Sequence, residues 1–155
     1  VADLINDKLA TIGEKIGIVR YERVEASYVA SYIHGANRMG VLVNFNENAS
    51  EAGRDVAMQI AAMNPLAVDA DSVSAEAVER ERAIVVETMK ADPKMEGKPE
   101  EMISKIADGK INAYFKENTL LAQPFVKDGS KTVTEFLKSV EADLTVKAFS
   151  RMKIG

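Results

Sequence analysis

Two runs rich in β-branched and aromatic residues, 28–33 and 39–45, stand either side of His34-Gly35-Ala36-Asn37-Arg38. In the second run Met39, Val41, Val43 and Phe45 alternate onto one face. Runs so spaced form an antiparallel hairpin with one apolar face, and the rest of the chain must cover that face. No other stretch constrains the fold as strongly. The connection carries the only histidine of the sequence, and a lone histidine on a turn is a natural contact point.

A third strand-like run, residues 18–26, precedes the hairpin and carries Arg20, Glu22, Arg23 and Glu25. It is expected to complete a three-stranded antiparallel meander with a wet face. Before it, residues 2–15 place Leu4, Ile5, Leu9 and Ile12 at helical spacing and end near Gly13. After it, residues 50–63 form a helix with Val56, Ile60 and Met63 as its stripe. Asn48 and Glu51 look like a capping box, and Asn64-Pro65 is the stop. Leu66-Ala67-Val68 is a short apolar link.

Residues 74–117 read differently. Ser74 can cap a helix whose apolar stripe, Val78, Val85 and Met89, is narrow and flanked by charge. The breaker at 92–98 contains Pro93 and Gly97. A second helix opens at Pro99, with Glu100 and Glu101 at the positive end of its dipole. Met102, Ile103, Ile106, Ile111, Tyr114 and Phe115 are its apolar positions. The pair predicts an antiparallel helical hairpin, and its narrow seam predicts a coiled coil projecting from the body.

The last third alternates again. Residues 120–126 are apolar but hold Pro124, which fits an edge strand or extended loop. Thr132-Val133-Thr134-Glu135 is a capping box opening a helix with Phe136, Leu137 and Val140. In residues 144–154, Leu144, Val146, Ala148, Met152 and Ile154 form the expected inner row, which leaves Phe149 on the polar face as a candidate contact. The expected class is α+β, with antiparallel sheets and packed helices in two small subdomains. They are residues 1–65 and 66–155, with the coiled-coil insertion at about 74–117.

Chemistry-bearing patterns are few. Gly35 and Gly40 are spaced as in a phosphate loop, but Val41-Leu42 follows where Lys-Ser or Lys-Thr would be needed. His34 has no nucleophile or carboxylate partner in any motif. There is no cysteine, so disulfides and thiolate metal sites are excluded, and one histidine makes no transition-metal set. The net charge of −4 creates no field for nucleic acid, and no apolar run is long enough for a membrane span. These residues point to a binding module with no cofactor and no catalytic residue.

Six segments, taken in order, resemble the bacterial elongation factor Ts family. They are Thr11-Ile12-Gly13-Glu14-Lys15-Ile16, Tyr32-Ile33-His34-Gly35 with Gly40-Val41-Leu42-Val43, and residues 57–65 (Ala-Met-Gln-Ile-Ala-Ala-Met-Asn-Pro). Val78-Glu79-Arg80-Glu81, Gly97-Lys98-Pro99-Glu100 and residues 123–128 (Gln-Pro-Phe-Val-Lys-Asp) complete the set. The resemblance implies a guanine-nucleotide exchange factor acting in the cytoplasm on elongation factor Tu, without bond chemistry of its own. It implies contacts to the partner's GTPase domain from Ile12, Gly13 and Glu14 and from His34 and Gly35. It implies contacts to the partner's third domain from Gln123, Pro124, Phe125, Val126 and Lys127, with the coiled coil as an accessory surface. A homodimer is a further expectation. Family members also carry an upstream helical domain and a Thr-Asp-Phe motif, and neither occurs in this sequence. The chain is therefore expected to be an excised core, for which binding of elongation factor Tu without efficient exchange is the alternative.

Overall fold

The structure, a computed structural model, describes residues 1–154 and has the expected α+β composition. The hairpin forms as the alternation requires. Strand β1 (Tyr28–His34) pairs antiparallel with β2 (Met39–Phe45), from Tyr28 opposite Phe45 to His34 opposite Met39. Gly35, Ala36 and Asn37 all take positive φ in the turn, which closes through Arg38 N–H donating to the Gly35 carbonyl at 3.1 Å. Val41, Val43 and Phe45 are buried, as is Ala30 on β1.

The third strand comes from the other end of the chain. Strand β5 (Val146–Lys153) pairs antiparallel with β2, so the sheet order is β1-β2-β5. Residues 18–26 form no strand. Their charges pair locally, Arg20 with Glu22 and Arg23 with Glu25, while Val19 and Tyr21 remain solvent-exposed. The outer edge of β1, where the meander would have placed them, is left unpaired.

The pairing of β5 contains a bulge. Asn44 faces Ala148 and Phe45 faces Val146, which leaves Lys147 as the extra residue. One inserted residue reverses the alternation beyond it. Val146 and Leu144 are buried as expected, but Ala148 is exposed and Phe149 packs against the core. The expected inner row therefore holds only up to the bulge, and Phe149 is not a free contact.

Helix α2 (Ser50–Met63) lies across the inner face of the sheet and buries Ala52, Val56, Ala57, Gln59, Ile60 and Ala61. Met63, expected in the stripe, is 46% exposed. The capping box is displaced: Asn48 Oδ1 accepts from Ser50 N–H at 2.9 Å, and the N-cap is Ala49. Asn64 ends the helix in the left-handed conformation, its N–H donating to the Ile60 carbonyl. Gly53 sets the closeness of helix and sheet, because a Cβ there would stand 2.9 Å from the Ala30 Cβ and 3.1 Å from the Tyr28 ring. Gly53→Ala should therefore cost about 1–3 kcal/mol in urea unfolding despite its better helix propensity.

Helices α3 (Ala75–Lys90) and α4 (Glu100–Asn118) form the helical hairpin, separated by a short 3₁₀ turn at Pro93–Met95. Ser74 caps α3 as expected, accepting from Ala77 N–H, whereas Pro99 is the N-cap of α4 and not its first helical residue. The pair has its own small core of Met89, Ile103 and Ala107. Across the seam, Arg82 donates to Ser104 Oγ and to Asp108 Oδ1, both at 2.9 Å.

A 3₁₀ turn (Leu120–Ala122) leads into the small hairpin of β3 (Pro124–Phe125) and β4 (Asp128–Thr132), followed by α5 (Val133–Val140). The capping box on α5 is complete. Thr132 Oγ1 accepts from Glu135 N–H, while Thr132 N–H donates to the Glu135 carboxylate and holds its pKa below the ordinary value. Val133, Leu137, Leu120 and Phe125 join Val43, Phe45, Val56 and Ile60 in one continuous core. Strand β5 thus joins the β1–β2 hairpin in one sheet, and residues from both ends of the chain share its core.

Candidate partner-binding surface

The three segments expected to make contacts occupy three different local settings. Helix α1 (Ala2–Ile12) ends at Gly13, whose φ of 76° and N–H donating to the Leu9 carbonyl form a left-handed cap. No residue of α1 is buried, and Leu4 and Ile12 are exposed. Ile12, Gly13 and Glu14 therefore stand at the open end of an amphipathic helix whose apolar side is uncovered.

His34 and Gly35 sit at the β1–β2 turn, both exposed. Tyr32 and His34 lie on the same side of β1, two residues apart. Their rings are tilted at 35° with centroids 5.8 Å apart, and Tyr32 Oη is 3.1 Å from His34 Nδ1. When the hydroxyl donates, Nδ1 is the acceptor and Nε2 carries the ring proton. Tyr32 is the only side-chain partner of His34 among the described residues. The arrangement restrains the orientation of the ring on the exposed turn.

The segment from Gln123 to Lys127 divides by face. Gln123 is 1% exposed and Phe125 4%. Phe125 stacks on Phe136 at a centroid distance of 4.0 Å and an angle of 11°. Their side chains belong to the interior, so the expected contact surface here shrinks to Pro124, Val126 and Lys127. Lys127 Nζ reaches Asp55 Oδ1 on α2 at 2.6 Å. No hydrogen bond or ion pair links the three segments to one another among the described residues.

Gln59 holds the third segment in place, a role that the sequence reading missed. Its Oε1 accepts from Val126 N–H at 2.8 Å, and its Nε2 donates to the Pro124 carbonyl at 3.1 Å and to Gln123 Oε1 at 3.3 Å. The signal was present: a glutamine lies in the apolar face of a helix, between Val56 and Ile60. A fully buried amide needs partners, and those partners define the loop.

On the outer face of the sheet Ile33 is 65% exposed, while Ser150 Oγ donates to the Glu22 carboxylate of the segment before β1. A cleft of about 640 Å³ lies at the turn end, between Ile18, Arg20, Arg38, Met152 and Lys153. Among the described residues no group of histidines and carboxylates could hold a metal ion, and no helix is long and apolar enough to cross a membrane.

The family model described as elongation factor Ts matches residues 1–155. Elongation factor Ts of Flavobacterium psychrophilum is 41% identical over 158 residues, covering all of this chain and 56% of that protein. The corresponding protein of Thermobifida fusca is 43% identical, with 55% of its length covered. That of Hydrogenobaculum is 41% identical, with 54% covered. The chain thus spans just over half the length of these curated relatives.

Proposed function

This chain belongs to the elongation factor Ts family, and from that premise we propose that it binds elongation factor Tu and promotes GDP release during protein synthesis. The match over the whole chain carries the reading. Exchange requires no bond to be made or broken. A factor that binds the nucleotide-free partner more tightly than the nucleotide-bound one must, by linkage, weaken nucleotide binding by the same factor. The exposed end of α1 at Ile12, Gly13 and Glu14 and the turn at His34 and Gly35 are the proposed contacts to the GTPase domain. Pro124, Val126 and Lys127 are the proposed contacts to the third domain. The α3–α4 hairpin, acting as a coiled coil, is an accessory surface, and the setting is the cytoplasm.

The alternative reading is a module that binds elongation factor Tu, or a second copy of itself, without efficient exchange. Release of fluorescent GDP from elongation factor Tu, measured beside a pull-down, separates the two. Binding with accelerated release supports exchange, and binding without it supports the second reading. His34→Ala should slow stimulated release about fivefold, the effect of losing one moderate contact, with an unchanged melting temperature. Unaltered release would remove His34 from the contact surface.

A further inference from the structure

Gln59 and Asp55 lie one turn apart on α2, and both hold the β3–β4 tip. Among the described residues the side-chain amide of Gln59 bonds only to residues 123–126, on both sides of Phe125. Gln123 is bonded in turn, its Nε2 donating to the Glu117 carbonyl at 3.0 Å and its carbonyl accepting from Val133 N–H. An apolar side chain of the same shape would fill the space equally well. The amide adds direction, because it accepts from the Val126 N–H where the chain leaves the core and donates to the Pro124 carbonyl where it enters. Val126 is left 46% exposed at the tip, beside Lys127 on its tether to Asp55.

We infer that Gln59 is a positioning residue. It touches no partner itself, and it sets the direction in which Val126 and Lys127 are presented to elongation factor Tu. The inference rests on the tip being a contact surface, as proposed above. Pre-organising a loop in its bound form strengthens binding by lowering the ordering cost, so the effect of Gln59 should pass through the tip.

The test is a double-mutant cycle on the whole chain, with affinity for elongation factor Tu as the readout. Gln59→Met keeps the shape and deletes the amide. It should weaken binding about tenfold with the wild-type tip, and less than about twofold when Val126→Ala and Lys127→Ala are also present. Hydrogen exchange at the Val126 amide should accelerate about tenfold. Equal losses in both backgrounds would overturn the inference and leave Gln59 a core residue only. If the tip variant alone binds like the wild type, the tip is not a contact and the reading beneath the inference fails first. Should Gln59→Met fail to fold, Gln59→Leu, an apolar side chain of similar size that also lacks the amide, enters the same cycle.

Discussion

Phe45→Ala should destabilise the chain by about 3–5 kcal/mol, a large share of the roughly 5–15 kcal/mol by which native domains are stable. Phe45 is 1% exposed and lies beside Tyr28, with ring centroids 6.2 Å apart. It is also the residue at which the β2–β5 register shifts. Truncation would leave a cavity between the sheet and α2, where the surrounding helix can collapse only partly. It would also remove the side chain that packs against the bulge. Urea unfolding followed by far-UV circular dichroism measures the loss, and a change below about 1 kcal/mol would show that the site repacks. Ala148, on the exposed side of the same bulge, is the natural control.

Met89→Asp should melt the helical hairpin while sparing the sheet. Met89 is 2% exposed, and its cluster contains only Ile103 and Ala107 as buried partners. A carboxylate forced into that seam loses the packing of methionine and has no cation to bond there, a combination worth at least about 3 kcal/mol. The interhelical bonds from Arg82 lie about two turns away and are partly exposed, so they offset little of this. Hydrogen exchange reads the outcome residue by residue. Amides of α3 and of the first half of α4 should lose protection, whereas those of Val43 and Val56 should keep it. Simultaneous loss throughout would show that the hairpin and the main core unfold as one unit.

Much of this architecture was legible because it obeys local rules. The alternation at 39–45, the serine before α3 and the Thr-Val-Thr-Glu box each specify their own geometry within a few residues. The elements that misled depend on partners far away in sequence. Residues 18–26 are the exception: they carry a strand's composition, yet their charges pair within the run and they leave the outer edge of β1 unpaired. The inward turn of Phe149 follows from a bulge opposite Asn44, which no periodicity within residues 144–154 can reveal. The same holds for the candidate surface. The exposed turn at His34 could be read directly, whereas the inward faces of Gln123 and Phe125 are decided by Gln59 and Phe136.

The pairing of β2 with β5 also bears on how the chain must come into being. Val43 and Phe149 are neighbours in the sheet but about a hundred residues apart in sequence, so closing that loop is entropically expensive. At roughly 5–20 residues per second, the ribosome takes on the order of ten seconds to deliver β5 after β2. Until then the β2 edge of the β1–β2 hairpin is unpaired, in addition to the β1 edge, and part of the apolar face is uncovered. During that interval the nascent chain offers an open strand edge to any neighbour. The α3–α4 hairpin, stabilised by contacts between its own two helices, can form while the sheet waits.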